Sequence, residues 1–111
     1  MIDTDPGVDD AQAILNMLSP KANLDVIGIS LIAGNSPMEN VKINIAKVLE
    51  IAKREVPIYT GCETPLVKPL FKDDGIIPFH GWDGLGDAVD YKDMKGYTQC
   101  YQDTPSALAI L

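Results

Sequence analysis

Histidine and tryptophan occur once each in this chain of 111 residues, and cysteine twice. Cys62 and Cys100 are too few for a disulfide-rich scaffold, and neither belongs to a Cys-x-x-Cys pair or to a Cys/His cluster with zinc spacing. Both are expected to be reduced thiols. Basic residues are also scarce: 9 Lys and Arg against 16 Asp and Glu leave a formal net charge of -7. That charge repels phosphate backbones and offers no basic stripe to neutralise them, which argues against a nucleic-acid partner and favours a neutral substrate or a cation. No apolar run approaches the roughly 18 to 20 residues of a membrane span, so no membrane partner is expected. No basic stretch leads into an apolar segment closed by a small-residue cleavage site, and the cytoplasm is the expected compartment.

What is present suits a globular interior. With 46% hydrophobic residues the chain can bury one real core, and a single domain is expected over residues 1–111. From Asp9 the pattern turns helical, with Ala11, Ile14, Leu15 and Leu18 on one face and carboxylates in the first turn, until Ser19-Pro20 stops it. The short apolar, β-branched run Val26 to Ile32 reads as a strand covered on both faces, ending at Ala33-Gly34-Asn35. Beyond Pro37, Met38, Val41, Ile45, Val48, Leu49 and Ala52 recur at helical spacing until Lys53-Arg54-Glu55. A further strand at Val56 to Tyr59 closes a strand-helix-strand unit, so the sheet should be parallel with right-handed crossovers.

From Gly61 to Asp103 no period is sustained, while Gly61, Pro65, Pro69, Gly75, Pro78, Gly81, Gly84 and Gly86 mark turns. Thr104 then reads as an N-cap with Pro105 at the first helical position, opening a helix over Ala107 to Leu111. Both ends look cut rather than finished. Only Met1 and Ile2 precede the acidic segment, where an open α/β sheet would normally place a longer, central first strand.

Asp3, Asp5, Asp9 and Asp10 crowd around Pro6-Gly7, at the point where a strand should give way to a helix. Carboxylates so close repel one another unless they share a cation, and oxygen-only donors suit calcium or magnesium. Taken singly, any one of them reads as a helix cap or a solvated loop residue; capping needs one carboxylate, however, and the turn needs none. An EF-hand loop would want Gly where Val8 stands and Glu where Ile14 stands, and that reading fails. A haloacid-dehalogenase-like phosphatase also opens with Asp-x-Asp, here Asp3-Thr4-Asp5. It would continue with Gly-Thr rather than Pro6-Gly7, and it has no use for Asp9-Asp10-Ala11. It stays as an alternative, with Asp3 as its nucleophile and magnesium as its cofactor.

Asp3 through Ala11 resembles the inosine-uridine nucleoside hydrolase family, whose members open with a strand followed by Asp-x-Asp-Pro-Gly-x-Asp-Asp-Ala, and matches that pattern without a mismatch. Gly34-Asn35 falls where the family places an Asn facing the ribose. His80-Gly81-Trp82-Asp83-Gly84-Leu85-Gly86 is similar to the family's His-Gly-x-Asp-Gly-Leu-Gly segment. Order and rough spacing agree across nearly the whole chain.

The resemblance implies an open, mostly parallel α/β sheet of Rossmann-like topology with flanking helices, present here as its amino-terminal part. It also implies calcium-dependent hydrolysis of the N-glycosidic bond of ribonucleosides. By that implication Asp5 and Asp10 hold the calcium ion, Asp5 also accepts a proton from the attacking water, and Asp9 and Asn35 grip the ribose. His80 would lie beside the base, and Asp3 would orient the other carboxylates. Without the resemblance, Asn35 reads as a turn residue and His80 as a loop residue satisfied by a backbone carbonyl. Trp82 is expected to pack over its loop and Asp83 to build a turn. Family members are far longer and bring a further aspartate and a histidine from their carboxyl-terminal half, so weak or absent turnover is expected of this chain alone. An inactive remnant that binds a cation or ribose is the second reading. Base preference and homo-oligomerisation stay open.

Overall fold

A computed structural model describes residues 1–64, 67, 79–87 and 100–111. Its elements are β1 (Ile2–Thr4), α1 (Val8–Leu18), a 3-10 turn at Pro20–Ala22, β2 (Ile29–Leu31), α2 (Met38–Ala52), β3 (Ile58–Thr60), β4 (Tyr101–Gln102) and α3 (Ser106–Ile110). The four strands form one sheet in the order β1-β2-β3-β4, and every pair is parallel. Among the described residues no helix is long and apolar enough to cross a membrane.

The parallel α/β architecture is the expected one, and the differences lie at the strands. The ladder takes only Ile29–Leu31 of the Val26 to Ile32 run, because β1 offers three rungs: Ile2, Asp3 and Thr4 stand opposite Ile29, Ser30 and Leu31. Ile27 is left exposed before the strand begins. β3 starts at Ile58 rather than Val56. Pro57 has no N–H to give to a ladder, and only its carbonyl is used, accepting from Ile29 N at 2.9 Å. Among the described residues β1 lies at one end of the four-stranded order rather than at its centre.

Two expectations near the carboxyl end need correction. The stretch from Gly61 to Asp103 is not wholly irregular, for Tyr101 pairs with Ile58 and Gln102 with Tyr59 in β4. Such a short strand carries no readable period; Tyr101 is fixed from the side, its hydroxyl donating to Lys42 O at 2.8 Å. The expected turn residues Pro65, Pro69, Gly75 and Pro78 lie outside the described residues. Helix α3 begins one residue later than expected, with Pro105 rather than Thr104 at the N-cap; Pro105 O accepts from Leu108 N and Ala109 N.

The core sits where α1 and α2 cover the sheet. Ile14 and Leu18 of α1, Val41, Ile45, Val48 and Leu49 of α2, and Ile29, Leu31 and Ile58 of the strands are buried together. Each such side chain removed from water contributes about 1.5–3 kcal/mol, which is what holds the short strands in register. The rigid result is a pair of parallel strand ends, β1 and β2, opening onto the turns that carry the acidic residues and Asn35.

Candidate functional site

Residues Asp5-Pro6-Gly7 turn the chain from β1 into α1. Gly7 occupies the N-cap of α1 and has no side chain to cap with, so the helix is capped from within its first turn. Asp10 Oδ2 accepts Gly7 N at 3.1 Å, while Asp10 Oδ1 accepts the Thr4 hydroxyl at 3.0 Å. One carboxylate thus ties the last residue of β1, the turn and the helix start into a rigid corner, and its negative charge lies at the positive end of the helix dipole.

Asp5 is held from the neighbouring strand end. Its Oδ2 accepts Asn35 N at 2.8 Å, and its own carbonyl accepts Asn35 Nδ2 at 3.0 Å. Among the described residues Asp5 Oδ1 accepts no hydrogen bond. Gly34 makes the close approach feasible, because a Cβ there would overlap the Asp5 carboxylate. Both turns leave the carboxyl ends of adjacent parallel strands, the end of an open α/β sheet at which ligands bind.

His80 reaches the same corner from the loop that spans 79–87. Its Nδ1 accepts Val8 N at 3.3 Å, which places the ring proton on Nε2, and Nε2 lies 3.6 Å from Asp9 Oδ1. The Phe79 ring meets it edge-on, with centroids 4.9 Å apart. Gly7 is where these parts converge: a Cβ on it would lie 2.9 Å from Asn35 Nδ2 and 2.9 Å from the His80 ring. The imidazole side chain is 13% exposed while that of Asp9 is 81% exposed, so Asp9 forms the open lip of the corner and His80 its wall.

The loop builds itself. Asp83 Oδ1 accepts Leu85 N at 2.6 Å and Asp87 N at 2.9 Å, Asp83 N returns a bond to Asp87 Oδ1, and Gly86 N donates to His80 O. Asp83 is the expected turn builder, although it is buried rather than at the surface. Burial lowers the pKa of Lys47, on the helix behind it, and the Asp83 carboxylate opposes that shift. Trp82 differs from expectation: its side chain is not packed down but 59% exposed, because what secures this residue is its backbone carbonyl, which accepts from Asn40 Nδ2.

Of the residues singled out in the sequence, Asp5, Asp9, Asp10, Asn35 and His80 are gathered around the Gly7 turn. Asp3 is not. Alternation along β1 sends it to the other face, where Ser30 Oγ donates to its Oδ1. The partner that orients Asp10 is Thr4, which sequence reasoning passed over; the signal was its hydroxyl, alternating with Asp3 and directed toward the helix side. For a hard cation the donor set fits in kind, since Asp5 and Asp10 offer oxygen only and Asp5 keeps an oxygen unengaged. In number it is short: among the described residues no group of three His, Cys, Asp or Glu side chains is assembled to hold a metal ion.

The model of the inosine-uridine preferring nucleoside hydrolase family matches residues 1–110. The pyrimidine-specific ribonucleoside hydrolase RihB of Escherichia coli K12 is 35% identical over 89 residues, which are 80% of this chain and 27% of that protein. RihB of Escherichia fergusonii aligns with the same values. Among solved structures, an inosine-guanosine nucleoside hydrolase superposes with a TM-score of 0.72 at 32% identity, covering 98% of this chain and 32% of that one. The plant nucleoside hydrolase PpNRh1 superposes with a TM-score of 0.65 at 43% identity, covering 80% and 28%. The chain therefore spans about a quarter to a third of the length of the relatives it matches.

Proposed function

The chain belongs to the inosine-uridine preferring nucleoside hydrolase family, and from that premise we propose that its Gly7 corner is the ribose- and cation-facing part of a site that hydrolyses the N-glycosidic bond of ribonucleosides. The observation that carries this reading is the double grip of Asn35 on Asp5, which leaves Asp5 Oδ1 without a hydrogen bond among the described residues.

In this reading Asp5 and Asp10 would hold a calcium ion, whose charge would acidify water and anchor the ribose diol. Asp5 Oδ1 takes the proton of the water that adds to the anomeric carbon. The electron pair of the broken C–N bond leaves with the base, which takes a proton from solvent, and Asp5 returns the proton it received. Positive charge develops on the sugar in between, and the anionic wall of Asp5, Asp9 and Asp10 stabilises it, as paired carboxylates do in glycoside hydrolysis. Asp9, at the exposed lip, receives ribose hydroxyls. Asn35 presents its carbonyl oxygen to them while its amide holds Asp5. His80 lies on the base side, where its Nε2–H would donate a hydrogen bond that serves substrate binding rather than acid catalysis. The substrate is a neutral small molecule, in keeping with the net charge of -7 and with neither nucleic acid nor membrane as partner; the enzyme would work in the cytoplasm.

Release of free base from inosine or uridine by the purified chain, abolished in Asp5→Ala, would support this function. The number of donors favours a second reading: with no group of three metal-ligating side chains assembled among the described residues, Asp5 and Asp10 suit a corner that binds a cation or ribose without turnover. Calcium binding by calorimetry with no base released would decide for that second reading. The phosphatase alternative has lost its ground. It needs Asp3 as nucleophile, and Asp3 is bonded to Ser30 on the opposite face from Thr4 and Asp10.

A further inference from the structure

We propose that Asn44, in the middle of α2, is a positioning residue for His80, acting through the backbone of the loop at 79–87. The inference rests on the reading of His80 as a substrate-binding residue. Asn44 is fully buried, at 0% exposure, on a helix face otherwise made of Val41, Ile45 and Val48. Its amide nitrogen spends both hydrogens on backbone carbonyls from two different segments: Pro6 O in the acidic turn at 3.3 Å and Asp83 O in the His80 loop at 2.8 Å. One side chain therefore ties the turn that carries Asp5 to the loop that carries His80, and both are referred to the same rigid helix.

The fit around Asn44 is tight. Gly84 has a φ of +84°, and a Cβ on it would lie 2.9 Å from Asn44 Nδ2 and 3.0 Å from Ser36 Oγ, so the loop backbone rests directly on these two side chains. The cluster is polar beyond what packing requires: Asn44 Oδ1, Ser36 Oγ and Asp83 Oδ2 are buried without a hydrogen-bond partner among the described residues. Buried polar atoms of this kind are destabilising, and an aliphatic residue at 44 would remove one of them. It would also leave the Pro6 and Asp83 carbonyls without donors. The two amide hydrogens of Asn44 are what an aliphatic side chain cannot replace, and they act only between the turn and the loop.

The reach to His80 is short. From Asp83 the loop closes back through Gly86 N to His80 O at 2.7 Å, and the imidazole then meets Gly7 and Val8. With Asn44 anchoring Asp83, the loop that carries the ring has a fixed pivot on α2; without it, the loop keeps its internal bonds and the Phe79 contact, but the ring is held to the acidic turn by the weak contact between Val8 N and Nδ1 and the lateral approach to Asp9.

His80 is the only histidine, so its ring protons in an NMR spectrum need no assignment by mutation. In the native chain, magnetisation transfer between the His80 ring and the α-protons of Gly7 is expected, together with slowed exchange of the Val8 amide. In Asn44→Leu, of nearly equal volume, the transfer should vanish and the Val8 amide should exchange about tenfold faster, the loss of one hydrogen bond. Amides of Leu31 and Ile45 in the core should keep their native rates. A folded Asn44→Leu chain with the Gly7 contact and Val8 exchange unchanged overturns the proposal. If that variant does not fold, Asn44→Ser, which keeps one donor, should weaken the contact and speed Val8 exchange by a smaller factor, and no change there overturns it equally. Neither readout requires turnover, so the result is independent of whether the chain hydrolyses nucleosides.

Discussion

Asn35 holds Asp5 by two bonds that differ in kind, a backbone N–H to the carboxylate at 2.8 Å and a side-chain amide to the Asp5 carbonyl at 3.0 Å. Only the second depends on the identity of residue 35. Asn35→Ala should therefore leave Asp5 in place but free to rotate its peptide, lowering base release or ribose affinity about tenfold while costing only about 0.5–1.5 kcal/mol of stability. Asn35→Asp sets an acceptor against the Asp5 carbonyl and should be the worse of the two. Steady-state rates with inosine, read beside urea midpoints, check both.

Asp10 is at once the cap of α1 and a proposed cation ligand, and the two roles separate by experiment. Asp10→Ala removes the acceptor of Gly7 N and of the Thr4 hydroxyl, and loss of such a cap costs about 0.5–2 kcal/mol. For a chain of this size that lowers the melting temperature by roughly 4–8 °C per kcal/mol. Added calcium should raise the melting temperature of the native chain and leave that of the variant unmoved. Calorimetric scans with and without the ion measure it.

Gly34 and Gly86 should respond oppositely to substitution. A Cβ at Gly34 would run into the Asp5 carboxylate, so Gly34→Ala is expected to displace it and to abolish calcium binding. Gly86 has open space around it and a φ of +79°, a conformation that Asn tolerates. Gly86→Asn should change stability by no more than about 1 kcal/mol and leave calcium binding intact. Isothermal titration of the two variants provides the comparison.

Burial raises the pKa of the Tyr101 phenol, with Cys100 and Glu39 adding to the effect, above its ordinary value of 10.0. In the unfolded chain the phenol ionises first, so between that value and its folded one the folded state holds the extra proton. Stability is then complete below pH 10 and is lost as the pH rises further. Tyr101→Phe gives up the bond to Lys42 O, about 0.5–1.5 kcal/mol at neutral pH, yet should lose less than the native chain between pH 10 and 11. Denaturant midpoints at pH 8 and pH 11 test the crossing.

Much of this was legible in the sequence, and the reasons differ by element. Helix α2 runs over Met38–Ala52 as its spacing predicts, since Pro37 and the periodic apolar face are both local signals. Asp5, Asp10 and Asn35 are adjacent because a parallel βαβ unit brings consecutive strand ends side by side, which topology dictates without coordinates. β4 was not legible, for Tyr101–Gln102 is a strand only by virtue of lying beside β3. Asp3 was assigned by nearness in sequence, and the pleat of β1 turned it away. Asn44 carried a signal that went unread: it stands three residues after Val41 and four before Val48, a polar group on a face meant for the core.

Val8 and His80 are 72 positions apart in the chain, and their bond closes the corner that Asp5, Asp9 and Asn35 complete. A corner whose parts come from such distant stretches exists only in the folded chain, so a ligand bound there would draw the equilibrium toward that state. At a ligand concentration a hundred times its dissociation constant, this coupling contributes about 2.7 kcal/mol. For a sheet of two- and three-residue strands that would be a large share of the total, and it would make the guest a partner in the protein's own assembly.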